Sequence, residues 1–169
     1  MLNEKVEKAL NDQLNAESFS AYLYLSMSSY FESLNMKGFA TWMRVQAEEE
    51  YVHAKKFYDF ILQRGGRIRL KGFEDPQTDW DSPEDAFAGS LHHEEYITSR
   101  INSLMNIAIE EKDHATQIFL QWFVTEQVEE EDNVGSVLSQ IRMMGETKNG
   151  LYMLDRELGQ RSLEEPDSE

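Results

Sequence analysis

Cysteine is absent from this chain of 169 residues, proline occurs three times and glycine nine. Without cysteine there is no disulfide scaffold, no thiol nucleophile, no iron–sulfur cluster and no thiolate-bound zinc. Any metal must therefore sit on carboxylates and imidazoles. So few turn residues argue against a many-stranded β protein and for an all-α one. No apolar run approaches the roughly 18 residues of a membrane span. The opening MLNEKVEKAL mixes charges at helical spacing and lacks the apolar stretch of a signal peptide, so a cytoplasmic location is expected. Basic residues are also scarce: 16 Lys and Arg face 32 Asp and Glu, a net charge of −16. Such a chain repels nucleic acid and anionic membranes and attracts cations.

What the chain does have is helical periodicity, in four long segments and a short one. The expected helices cover about 3–33, 38–64, 83–112, 114–144 and 147–158, followed by an acidic tail over 163–169, all within a single domain. Gly65-Gly66 stops the second helix. Ser82 and Pro83 open the third, with Asp85 spaced for a capping box, and Asp113 can cap the fourth. About four residues join helices one and two, and almost none join three and four, so each pair is an antiparallel hairpin. Residues 66–81 separate the pairs. Sixteen extended residues reach about 53 Å, whereas a 27-residue helix is about 40 Å long. That segment can run the length of the bundle and join the two hairpins by one long crossover.

Read at alternating spacings of four and three, each helix gives an apolar seam interrupted midway by polar residues. The seams are Leu10, Leu14, Glu17, Ala21, Tyr24, Ser28, Phe31; Phe39, Met43, Gln46, Glu50, His53, Phe57, Phe60; Phe87, Leu91, Glu94, Thr98, Ile101, Met105, Ala108; and Leu120, Phe123, Gln127, Glu130, Val134, Val137, Ile141, Met144. Measured from the two turns, the interruptions fall at one height and form a layer in the middle of the bundle. An offset of 77 residues carries Glu17 onto Glu94, Glu50 onto Gln127 and His53 onto Glu130, so the hairpins read as diverged copies.

Glu17, Glu50, Glu94 and Glu130 would bring four negative charges into that layer, and no Lys or Arg lies on the seams near it. A buried carboxylate costs several kcal/mol unless paired, and two divalent cations would cancel all four. The alternative is that some of these glutamates point outward, or are protonated and hydrogen-bonded to Tyr24 or Gln46. Glu50 and His53 stand three apart on one helical face, so both can reach one ion. Glu-x-x-His with a seam glutamate from each of two other helices is the di-metal carboxylate pattern of four-helix bundles. The second half-motif is Gln127-x-x-Glu130 rather than another Glu-x-x-His, so the expected site is asymmetric, with one imidazole-marked position and one all-oxygen position.

The segments QAEEEYVHA (46–54) and EQVEEE (126–131), with Glu17, Glu94, the crossover and the short last helix, resemble the non-haem ferritins of bacteria and archaea over essentially the whole chain. The resemblance implies a ferritin-like four-helix bundle and a ferroxidase centre. Glu17, Glu50 and His53 would surround one iron, and Glu50, Glu94 and Glu130 a second, with Gln127 close by. A third iron position would take Glu49, Glu126, Glu129 and Glu130. Tyr24 and Trp122 would be aromatic electron donors beside the centre. It also implies oxidation of Fe(II) by dioxygen or peroxide, and self-association into a hollow shell, commonly of 24 subunits, that stores ferric mineral. Bacterioferritins carry a second Glu-x-x-His and a haem-ligating methionine where this chain has Glu130 and Val52, so no haem is expected.

Two other readings are weighed. A di-iron oxygenase or peroxidase of small oligomeric state would normally carry both Glu-x-x-His halves. A non-enzymatic acidic adaptor would not need four seam carboxylates. His92, His93 and His114 lack Glu-x-x-His context and read as structural, and the Met and aromatic stripes read as core. Leu151, Leu154 and Leu158 give the last helix an apolar face. A helix of about twelve residues is marginal alone, so that face must dock, on its own bundle or on a neighbour. Affinity order does not select iron over zinc or copper at nitrogen and oxygen ligands; iron here rests on the resemblance.

Overall fold

The computed structural model describes residues 2–145 and 148–163. Five helices follow one another: α1 (Glu4–Ser33), α2 (Lys37–Gln63), α3 (Pro83–Glu110), α4 (His114–Met144) and α5 (Lys148–Leu158). The expected start of α5 at residue 147 and the acidic tail beyond 163 lie outside the described residues. No described helix is long and apolar enough to cross a membrane.

The ends of the helices follow from local chemistry. Asn3 accepts from Lys5 N–H, Ser82 from Asp85 N–H and Asp113 from Thr116 N–H, each satisfying an orphan donor of a first turn. Asp85 reaches Asp81 N–H at 3.1 Å rather than the N–H of Ser82, so the expected capping box is displaced by one residue. α1, α2 and α3 end alike. The residue after the cap turns left-handed, and the next N–H closes back onto the carbonyl five residues earlier: Met36 onto Phe31, Gly66 onto Ile61, Asp113 onto Ala108. The left-handed residues are Asn35, Gly65 and Lys112. The offset of 77 carries Asn35 onto Lys112, so the two hairpin turns share their backbone as the hairpins share their seams.

α2 has no cap of its own. Its first N–H groups are taken by α5: Asp155 Oδ1 accepts from Gly38 at 2.8 Å and Phe39 at 3.1 Å. The approach is so close that a Cβ on Gly38 would fall 1.5 Å from the Asp155 carbonyl oxygen, and one on Gly159 would stand 3.3 Å from the Gly38 Cα. Gly38 is therefore required by the contact, and Gly159 makes the facing side of it tight. Leu154 and Leu158 are buried on their own bundle, while Tyr152 and Met153 face outward.

The crossover runs up α1 on paired polar contacts. Asn11 donates to Arg67 O and accepts from Arg69 N–H; Asn15 donates to Arg69 O and accepts from Lys71 N–H. Higher up, Ser26 donates to Gln77 O and Tyr30 to Trp80 O. An extended segment thereby pairs six of its backbone groups with α1 side chains, without a sheet.

The core is split in two. One apolar cluster holds Met27, Phe31, Phe39, Trp42, Met43, Trp80 and Phe87, extended by Val134, Ile141 and the two leucines of α5. The other holds Leu10, Leu14, Phe57, Ile61, Ile101, Leu120 and Phe123. Between them lies the polar layer. The seams drift from a strict seven-residue repeat toward 3.6 residues per turn. Ser20 is buried rather than Ala21; Ser90, Ile97 and Leu104 are buried while Leu91, Thr98 and Met105 are half-exposed, and Phe60 and Met144 are likewise only half-buried. Not every Met and aromatic is core: Met143, Met153, Tyr51 and Tyr152 are exposed. α1 packs on α2 and α3, and α3 on α4, but no described Cα of α2 comes within 8 Å of one of α4. α2 and α4 meet through side chains alone: the Phe60 and Phe119 rings stack at 3.9 Å, Phe57 lies on Phe123, and Gln46 bonds to Glu130.

Candidate metal centre

Each helix delivers its share of the layer. Glu17 comes from α1; Gln46, Glu50 and His53 from α2; Glu94 from α3; Gln127 and Glu130 from α4. All seven are buried. Glu17, Glu50 and His53 bring ligand atoms within 4.8 Å of one another, and so do His53, Glu126 and Glu130. His53 stands between the two trios. Its Nδ1 is 3.5 Å from Glu50 and its Nε2 3.5 Å from Glu126. The first distance is ionic only, for Nδ1 has no aligned hydrogen-bond partner, and Glu17 Oε2 and Gln46 Oε1 also lack one. Unsatisfied buried polar atoms are rare in folded proteins and call for an explanation; these three converge on the layer where a cation would sit.

Glu50, Glu94 and Glu130 do not form a further such trio among the described residues. Glu94 accepts a short hydrogen bond from the Tyr24 hydroxyl and one at 3.3 Å from the Gln127 amide. Gln46 donates to Glu130 at 2.7 Å and to Glu50 at 3.2 Å. Hydrogen bonds from Tyr24 and Gln46 to these glutamates, raised on the sequence as an alternative, are therefore present in the layer.

The electrostatics agree. Burial, then repulsion from Glu94, pushes Glu130 up to about 8, and burial pushes Glu94 up to about 7 against the Tyr24 and Gln127 hydrogen bonds. Burial and Glu94 hold Glu50 well above the usual 4.5. Burial also raises Glu17, opposed by His53 and by Gln13. For His53 burial favours the neutral ring, but Glu126, Glu50 and Glu17 outweigh it and its pKa stands well above 6.5. Tyr24 is raised well above 10 by burial and by Glu94 and Glu50, so its hydroxyl keeps its proton. The layer balances its charge with protons, which a divalent cation can replace.

Sequence reading missed two members. Gln13 is buried and donates at 2.8 Å to Glu17, while Arg100 Nε donates at 3.0 Å to Gln13 Oε1. Arg100 fixes the amide so that its N–H side faces the carboxylate, and carries positive charge toward a layer expected to have none. Arg100 lies off the seam of α3, so no periodicity points to it.

Outside the layer, the gap between α2 and α4 forms a cleft of about 820 Å³ whose lining includes His53, Glu49, Glu126, Glu129 and Glu130. The four carboxylates of the expected third position thus share one cavity, but Glu49 is paired with Arg161, from the segment after α5. Trp122 packs edge-on against His53, 5.4 Å between centroids, and carries Lys56 Nζ 3.7 Å above its ring. His93 is hydrogen-bonded to Ser20 at 2.8 Å, and burial pushes it down to about 4, so it is a neutral packing residue beside Tyr24. His92 and His114 are exposed.

The family described as Ferritin-like domain matches residues 7–144. The chain is 41% identical over 161 residues to a bacterial non-heme ferritin of Bacteroides fragilis, covering 95% of this chain and 100% of that one. It is 38% identical over 165 residues to the corresponding protein of Staphylococcus aureus, covering 98% and 99%. Among solved structures, an open-pore ferritin of Archaeoglobus fulgidus superposes with a TM-score of 0.95 at 51% identity, covering 96% of this chain and 100% of that one. An engineered closed form of the A. fulgidus protein gives 0.96 at 49% identity, covering 97% and 100%.

Proposed function

The chain belongs to the ferritin family, and on that premise we propose that it stores iron, oxidising Fe(II) within the polar layer and holding the ferric product inside a shell of its own copies. The observation that carries this reading is the pair of trios sharing His53 in a layer of four buried carboxylates. Carboxylate and imidazole ligands suit iron in both oxidation states. Iron and dioxygen are the substrates. Two ferrous ions give up one electron each, and dioxygen takes both together with two protons to leave as hydrogen peroxide.

Each residue has a part. Glu17, Glu50 and His53 bind the first ion, and the unpaired Nδ1 of His53 is the nitrogen that faces that position. Glu50, Glu94 and Glu130 bind the second, which requires Glu94 to turn from Tyr24, and Gln127 steadies it from α4. Entering cations displace the protons held on Glu50, Glu94 and Glu130, leaving a local supply for the reduced oxygen. Glu49, Glu126 and Glu129 line the cleft through which the product moves out. Tyr24, touching Glu94, and Trp122, touching His53, stand ready as further electron donors. Exposed Tyr51, Ile118, Val128 and Met153 are apolar surface for neighbouring subunits to cover.

The test combines light scattering with aerobic Fe(II) addition. A particle of several hundred kDa that oxidises iron rapidly and keeps it soluble supports the reading. Glu50→Ala with His53→Ala should abolish rapid oxidation, and unchanged kinetics would discard the site assignment. A small oligomer that oxidises iron but precipitates it would favour the oxygenase reading.

A further inference from the structure

The segment after α5 lines the cleft with Gln160, Arg161, Ser162 and Leu163. The Arg161 guanidinium lies on the Trp42 ring at 4.2 Å, donates to the Trp42 carbonyl at 3.5 Å and pairs with the Glu49 carboxylate. Both charged groups are mostly covered, with side-chain exposures of 19% and 21%. Trp42 and Glu49 are two helical turns apart on one face of α2, so Arg161 spans about 10 Å of that face. Glu49 lines the same cleft as Glu126 and Glu130, yet the carboxylates gathered around His53 are those two, while Glu49 answers to Arg161.

We propose that Arg161 is a tethered counter-ion that competes with metal cations for Glu49, and so sets how readily an ion leaving the buried layer gains its outward ligand. The proposal rests on the iron-handling reading above and adds a control element to it. A guanidinium stays charged at any working pH, so loss of the Arg161 proton is not the release. A cation of higher charge can release Glu49. When it does, the stack on Trp42 and the bond to its carbonyl can remain, so the guanidinium stays docked and it is the Glu49 carboxylate that turns away. Arg161 is a positioning residue: it touches the ligand, not the iron.

The experiment is calorimetric titration of the assembled metal-free protein with zinc, which is redox-silent, in the wild type, Arg161→Met, Arg161→Lys, Glu49→Gln and the Arg161→Met/Glu49→Gln pair. The wild type should take two zinc ions per subunit tightly and a third weakly. Arg161→Met, which keeps apolar cover on Trp42, should leave the first two unchanged and tighten the third about tenfold, the scale of one lost charge-assisted hydrogen bond. Arg161→Lys should return the third affinity toward wild type. In the Glu49→Gln background the change from Arg161→Met should vanish. If Met disturbs the segment, Arg161→Gln against Arg161→Lys makes the same comparison. An unchanged third affinity in Arg161→Met overturns the proposal, as does a gain that survives Glu49→Gln. Failure of the two tight sites to appear in the wild type would instead overturn the iron-centre reading, and this proposal with it.

Discussion

One amide of Gln46 ties together carboxylates from helices whose backbones never touch: it donates at 2.7 Å to Glu130 of α4 and at 3.2 Å to Glu50 of α2. A cation bound between those two carboxylates would have to compete with this amide for their oxygens. Gln46→Leu removes both bonds and leaves buried acceptors unsatisfied, which should cost about 1–3 kcal/mol. Saturating zinc should shrink that loss. Thermal unfolding of both proteins, with and without zinc, checks it; an equal loss in both states would mean that Gln46 is ordinary packing.

Stability should depend on pH with a definite sign. Glu94 and Glu130 titrate near 7 and 8 when folded, against an ordinary 4.5. Between about 4.5 and 8 the folded protein holds protons that the unfolded chain has released, so stability falls as pH rises through that window. Glu17 and Glu50 act in the same direction. So does His53, whose stabilising charge is fully present below 6.5 and is lost as pH climbs through its raised folded value. The metal-free thermal midpoint should be higher at pH 5 than at pH 8. Glu94→Gln with Glu130→Gln should flatten the slope. Zinc should reverse it, because the ion displaces those protons and binds more tightly as pH rises. A metal-free midpoint that climbs from pH 5 to pH 8 contradicts the charge balance described here.

Arg100→Leu should weaken binding at the position formed by Glu17, Glu50 and His53 about tenfold. Without the guanidinium, the Gln13 amide is free to turn its carbonyl toward Glu17, and about 1 kcal/mol or more of charge-assisted bonding is lost. Zinc titration reads the affinity. Gln13→Leu should reproduce the effect, and the two substitutions should not add, because they break one relay. Additive losses would show that Arg100 acts elsewhere.

The polar layer was legible because seam positions obey a period, and four carboxylates at one height in an apolar stripe are a conspicuous violation of it. The crossover was legible from length alone. Arg100 reaching Gln13, Arg161 reaching Glu49 and Asp155 capping α2 were not. Each joins residues 87 to 117 positions apart through one side chain and leaves no local pattern. The strict seven-residue seam also misplaced Ala21, Leu91, Thr98 and Met105, since straight helices drift back toward 3.6 residues per turn. The tie between Glu94 and Tyr24 was foreseen only as an alternative, because the choice between proton and cation depends on what is bound.

Asp155→Ala should release α5 while the four long helices stay folded. The loss of a cap costs about 0.5–2 kcal/mol, and a helix of 11 residues has little stability without docking. Hydrogen exchange should accelerate over 148–158 and leave α1 to α4 protected. Undiminished protection of α5 would show that Leu154 and Leu158 hold it unaided.

The amides of Asn11 and Asn15 also order events in time. Each hairpin can zip outward from its short turn, whereas the crossover's bonds to α1 join residues 54 to 58 positions apart and need α1 and α2 already paired to their open end. Closing loops of that size has an entropic cost that precedes any gain. The hairpins should therefore form first, and the strap that registers one against the other should seat last. Asn11→Ala and Asn15→Ala should accordingly speed unfolding and leave the folding rate nearly unchanged, the kinetic signature of contacts made after the barrier.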